Sequence, residues 1–154
     1  MRMLQTHSAL ETKALGMALA KQLLPGDVLV LQGDLGAGKS EFARGVARGL
    51  GITGHVPSPS FTILQVYEDG RLPLYHFDWY RICSPEELYE LSLDEYLYGE
   101  GISVVEWPEM VAEVVPETHL LIRITATGET DRQVSIEPAG NFHTLDYAKL
   151  EANP

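Results

Sequence analysis

Gly33-Asp34-Leu35-Gly36-Ala37-Gly38-Lys39-Ser40 is the stretch on which the reading of this chain turns. It matches, without a gap, the pattern of glycine, four residues, glycine, lysine and then serine or threonine. Each residue type has a physical reason to be there. Glycines let the backbone curl until its N–H groups point inward at an anion. A helix starting at Gly38 adds the positive end of its dipole. Lys39 offers a mobile ammonium to the β- and γ-phosphates of a nucleoside triphosphate, and the Ser40 hydroxyl is of the kind that ligates Mg²⁺. With ordinary residue frequencies the four fixed positions coincide in roughly one chain in two hundred of this length. The neighbouring sequence therefore decides between a phosphate loop and a chance glycine-rich turn.

That context is a strand before the loop and a helix after it. Val28 to Leu31 is a short apolar run, as a buried strand would have. Phe42, Val46 and Leu50 step by four along the following helix, which Gly49 and Gly51 end. Upstream, Ser8-Ala9-Leu10-Glu11 has capping-box spacing, and Leu15, Ala18, Leu19 and Leu23 continue a helix that stops at Pro25-Gly26. Downstream, the prolines of His55-Val56-Pro57-Ser58-Pro59-Ser60 predict an extended loop. Phe61 to Tyr67 and Leu72 to Phe77 flank Asp69-Gly70 as a hairpin. Ser84-Pro85-Glu86-Glu87 predicts a helix running through Leu88 and Leu91 toward Tyr96. Ile102 to Val105 is a strand ending at Glu106-Trp107-Pro108. Leu120 to Ile124 and Gln133 to Ile136 form a second hairpin around Gly128, and no strong pattern follows Gly140. Together these elements predict an α/β fold: a P-loop NTPase-like mixed central sheet flanked by helices.

The bulk composition bounds what such a protein does. A length of 154 residues fits one domain with a real core. Apolar residues at 45% and charged residues at 21% are the proportions of a soluble globular protein. No apolar run approaches the ~20 residues of a membrane span, and Met1 to His7 has no apolar segment of the secretory kind. The single cysteine, Cys83, suits a reducing compartment. A cytoplasmic protein is expected. Eleven Lys and Arg against 22 Asp and Glu leave a net charge of −11. Phosphate backbones repel such a chain, and it carries no Lys/Arg-rich block, so any RNA would have to be held by a partner.

Phosphoryl chemistry also needs a carboxylate at a strand end, to hold the magnesium water shell, and a group to orient the attacking water. Glu106, after Ile102-Ser103-Val104-Val105, is the first candidate. Asp78, after Leu74-Tyr75-His76-Phe77, is the second, and the metal and water roles can be exchanged between them. Ser60 is either a switch hydroxyl for the metal or a turn serine between prolines. Trp107 either closes the nucleotide pocket or packs in the core. Arg44 and Arg48 read most simply as the solvated face of their helix. His7, His55, His76, His119 and His143 show no metal-ligand spacing, and Cys83 has no base beside it in sequence. The stretch near Ser8 and Thr12 is a candidate for adenine contacts. No Asn-Lys-x-Asp tetrapeptide reads guanine, which favours ATP. Three functions fit: an ATPase working inside a complex, a small-molecule kinase, and a scaffold whose nucleotide is structural.

Four motifs taken in order carry a family resemblance. They are Gly33 to Ser40, Ser58-Pro59-Ser60-Phe61, His76-Phe77-Asp78-Trp79-Tyr80-Arg81 and Val105-Glu106-Trp107-Pro108-Glu109. The chain resembles the bacterial TsaE family over roughly residues 8 to 137, and the last two motifs are the specific ones. The resemblance implies a P-loop ATPase that joins the TsaD and TsaB subunits in forming threonylcarbamoyladenosine beside the tRNA anticodon. It touches tRNA only indirectly and supports turnover of the complex without making the carbamoyl bond. By the same resemblance Gly33, Gly36, Ala37, Gly38, Lys39, Ser40, Glu41 and Trp107 bind ATP, and Ser40 and Glu106 hold Mg²⁺. Lys39, Asp78 and Glu106 are the catalytic set, while Tyr80 and Arg81 shape the site or the docking face. Ser40 and Ser60 keep the hydroxyl of the family's usual threonines, and Trp79 replaces a usual leucine. Residues 1–140 are then a single P-loop ATPase domain and 141–154 a C-terminal tail.

Overall fold

The computed structural model describes residues 1–34, 36–54, 56, 63–79, 82, 84–106 and 113–151. Seven strands form one mixed sheet in the order β1-β7-β6-β2-β5-β4-β3. They are β1 (Arg2–Thr6), β2 (Val28–Gln32), β3 (Leu64–Tyr67), β4 (Leu74–Asp78), β5 (Ile102–Glu106), β6 (His119–Ala126) and β7 (Arg132–Ala139). The middle four, β6, β2, β5 and β4, run parallel, and β1, β7 and β3 pair antiparallel on the flanks. This is the α/β sheet expected, with the β3–β4 hairpin at one edge and β1, paired antiparallel to β7, at the other.

Alternation along the strands sorts side chains onto two faces. Leu29, Leu31, Ile102, Val104, Ile122 and Ile136 point to one face, where they pack under α1 (Ala9–Ala20), α2 (Lys39–Gly49) and α5 (Tyr147–Glu151). Val28, Val30, Phe77 and Val105 point to the other, under α3 (Pro85–Glu90) and α4 (Asp94–Leu97). The first core is the larger because α1 and α2 lie against each other with their backbones in contact. A Cβ added at Gly45 would run into the Lys13 carbonyl, and one at Gly16 into that of Phe42. Only glycine permits that approach.

Local chemistry fixes the start of α1. Ser8 caps α1 by accepting the Glu11 N–H at 3.1 Å, but the Glu11 carboxylate accepts from the His7 N–H at 3.1 Å, one residue ahead of the cap. The expected hairpin around Asp69-Gly70 is present with Tyr67 opposite Leu74, so residues 68–73 make a longer connection than a two-residue turn. Arg71 in that connection donates to the Ala20 carbonyl at 2.9 Å and ties it to the end of α1.

One element differs from expectation, and two more were not foreseen. The helix predicted through Leu91 toward Tyr96 is two short helices broken at Ser92, whose φ is +57°. A continuous helix would put Leu91 on the same face as buried Leu88. The break leaves Leu91 56% exposed and turns Leu93 and Leu97 into the core instead. The amino-terminal residues form β1, paired along β7. The stretch after Gly140 folds onto α1, burying Leu145 and Leu150, and Glu151 pairs with Arg2 at 2.6 Å.

Candidate nucleotide site at the carboxyl ends of the central strands

The Gly33-to-Ser40 loop leaves the carboxyl end of β2, the strand from which the order runs out both ways. The chain goes on to β4 and β5 on one side and crosses to β6 on the other. In open α/β sheets such a reversal opens a crevice for ligands. Gly38 is the N-cap of α2, with φ +113° and ψ 11°, a conformation that side chains strain to adopt. Lys39, Ser40 and Glu41 form the first turn of α2, where N–H groups have no acceptor within the helix and face an incoming anion. Lys39 is 6% exposed, and its Nζ donates to the Gly33 carbonyl at 2.6 Å, so the ammonium is drawn back over the loop.

The two candidate carboxylates come together. Asp78 and Glu106 are direct partners in the register of β4 and β5, and Leu31 of β2 lies opposite Glu106 on its other side. Both acids share a sheet face with Val104 and Leu31, the face that α2 covers. Both residues are buried, at 5% and 3% exposure. Burying a carboxylate costs heavily unless polar groups receive it. His76 lies on the same face, two residues before Asp78, and its Nε2 is 2.5 Å from Glu106 Oε2. No spacing rule pointed to His76, because its partner lies 30 positions away.

The loop is held from the other side by Arg132, which the sequence reading also missed. Its Nε donates to the Ala37 carbonyl at 2.8 Å, and its Nη1 to the carbonyls of Gly128 at 3.1 Å and Asp131 at 2.8 Å. One guanidinium thereby fastens the β6–β7 hairpin tip to the phosphate loop, using the forked donors that lysine lacks. Beside it opens a cavity of about 200 Å³ lined by Thr12, Gly36, Gly38, Glu41, Glu129 and Arg132, among others. Thr12 is thus at the cavity, while Ser8 is engaged in capping α1.

Arg44 and Arg48 are not the solvated face expected of them. Arg44 donates to the Glu41 carboxylate at 2.6 Å and to the Val56 carbonyl at 3.1 Å, and Arg48 to the carbonyls of Ile52 and Gly54, each at 2.7 Å. Carbonyls past the helix end need donors, and these guanidiniums reach them. Trp79 is wholly buried against Phe77, ring centroids 5.5 Å apart, on the face away from the loop. Leu35, Ser60, Tyr80, Arg81, Cys83 and Trp107 lie outside the described residues, so the expectations placed on them stand as they were.

The donor set fits a triphosphate with magnesium. Among the described residues no three His, Cys, Asp or Glu side chains converge as a metal cage. Magnesium does not need one, since it keeps several waters and takes one or two protein ligands plus phosphate oxygens. Ser40 at the helix start and the paired acids Asp78 and Glu106 supply ligands of that kind. Among the described residues no helix is long and apolar enough to cross a membrane.

Comparison with known proteins places the chain in a family and matches its fold. The family profile "Threonylcarbamoyl adenosine biosynthesis protein TsaE" matches residues 6–134. A Bacillus subtilis protein named tRNA threonylcarbamoyladenosine biosynthesis protein TsaE is 48% identical over 135 residues, covering 88% of this chain and 84% of its own. A protein of the same name from Treponema pallidum is 41% identical, covering 85% of this chain and 96% of its own. The crystal structure of Bacillus subtilis YdiB superposes with a TM-score of 0.80 at 44% identity, covering 91% of this chain and 86% of that one.

Proposed function

The chain belongs to the TsaE family of tRNA threonylcarbamoyladenosine biosynthesis, and from that premise we propose that it is a cytoplasmic ATPase whose cycle supports turnover of the modifying complex. The observation that carries the reading is the register that sets Asp78 beside Glu106, next to the strand that feeds the phosphate loop. A loop alone binds phosphate. A loop with two buried acids at its flank supports a reading of hydrolysis as well as binding.

In this reading the first-turn N–H groups of α2 and the Lys39 ammonium receive the phosphates, and Lys39 exchanges the Gly33 carbonyl for phosphate oxygen. The base and ribose lie toward the cavity lined by Thr12, Glu41 and Arg132. Ser40 and Glu106 would hold Mg²⁺, which would supply positive charge against the transferring phosphoryl group. Asp78 orients a water for in-line attack on the γ-phosphorus. The new P–O bond comes from that water, the bond to the β–γ bridging oxygen breaks, and ADP and inorganic phosphate leave. The acid excess suits a subunit that leaves tRNA to its partners, TsaD and TsaB, as the net charge of −11 gives it no general affinity for a phosphate backbone.

The test is phosphate release from ATP by the chain alone and after addition of TsaD and TsaB. Weak hydrolysis that rises on their addition is expected. Unchanged hydrolysis without association would remove the complex from the account, and transfer of the γ-phosphate to a metabolite would replace the ATPase with a kinase.

A further inference from the structure

We propose that His76 is a positioning residue for the Glu106 carboxylate: its Nε2–H holds Oε2 and leaves Oε1 as the oxygen that a metal ion can take. The inference rests on the proposed role of Glu106 as a magnesium ligand. Two observations carry it. Nε2 lies 2.5 Å from Oε2, both side chains being almost wholly buried at 2% and 4% exposure. The other ring nitrogen, Nδ1, is buried with no hydrogen-bond partner among the described residues.

A carboxylate only accepts, so the proton between the two residues sits on Nε2. An unpartnered buried nitrogen weakens the fold, so the Nδ1 side of His76 adds no stability that would account for the residue. Here one nitrogen is left without a partner while the other is committed to the acid beside the phosphate loop. The sheet explains how His76 reaches it. His76 pairs with Val104 and Asp78 with Glu106, so the imidazole meets Glu106 diagonally across two parallel strands on one face. Held this way, Glu106 has a single rotamer and offers one defined oxygen, which is how ligand carboxylates are oriented by the groups behind them.

The test compares nucleotide affinity with Mg²⁺ and with EDTA, measured by titrating a fluorescent ATP analogue into the wild-type chain and into His76→Leu, His76→Gln and Glu106→Gln variants. The expected result is an affinity in EDTA close to wild type for all three variants. His76→Leu should lose about tenfold of the Mg²⁺-dependent gain, the scale found when such outer partners are removed. His76→Gln, which keeps an N–H donor, should recover most of it. A wild-type Mg²⁺ gain in His76→Leu together with its loss in Glu106→Gln overturns the role of His76 alone. A wild-type gain in Glu106→Gln overturns the metal role of Glu106, and this proposal with it. Nitrogen-15 spectra of histidine-labelled wild-type protein give a check that needs no variant to fold. A proton on Nε2 whose resonance moves in Glu106→Gln supports the contact, and a proton on Nδ1 with Nε2 bare refutes it.

Discussion

The loop wall of the site runs through consecutive residues, Gly33 to Glu41, whereas the carboxylate wall exists only because β4 and β5 lie in register. The loop depends on local backbone: an αL glycine at 38, a helix start at 39, and Arg132 fastened to its carbonyls from outside. The opposite wall depends on the sheet, since a slip of β4 by one residue would turn Asp78 and His76 to the far face and away from Glu106. Binding and hydrolysis should therefore separate under mutation, with the loop governing the first and the register governing the second.

The largest separation is expected from Asp78→Asn, which keeps the shape of the carboxylate wall but removes its charge. Hydrolysis in the presence of partner subunits should fall about 1,000-fold, within the range for removing a group that manages the attacking water, while ATP affinity stays within about threefold. Equal losses in both, read from steady-state rates and from titration, would break the division. Lys39→Ala attacks the other wall and should weaken ATP binding about 100-fold, the worth of a charge-assisted contact to phosphate. Arg132→Gln leaves every phosphate-facing group in place but unfastens the hairpin from the Ala37 carbonyl. A loss of about tenfold in affinity is expected, as for removal of a supporting partner, with kcat at saturating ATP nearly unchanged. Ser8→Ala is the smallest change. It should cost about 1 kcal/mol of stability through the lost α1 cap, visible in chemical denaturation and with little effect on either wall.

The same division marks what could be read from the sequence. The loop, its flanking strand and helix and both acids were legible because each is a local pattern: a fixed glycine spacing, an apolar run, an acid after a strand. β1 was not, because its outward face carries Met3 and its inward face Thr6, which blurs the apolar–polar alternation. The break at Ser92 was hidden because the start signals at Ser84-Pro85 are those of a longer helix, and the pull of Leu93 and Leu97 into the core is tertiary. Arg44 and Arg48 sit four apart like any exposed pair, and only the folded loop shows the carbonyls they serve. His76 and Arg132 act across the fold, on partners 30 and 95 positions away. No window along the chain contains either pair.

The central claim is that this chain directs water to the γ-phosphorus of ATP between the loop and the paired acids. Isotope placement tests it most directly, by running the reaction in oxygen-18 water with the partner subunits present and analysing both products by mass spectrometry. One heavy oxygen in inorganic phosphate and none in ADP, with the signal lost in Asp78→Asn, is the predicted result. Phosphate release no greater than in Lys39→Ala, or heavy oxygen found in the ADP, would contradict it.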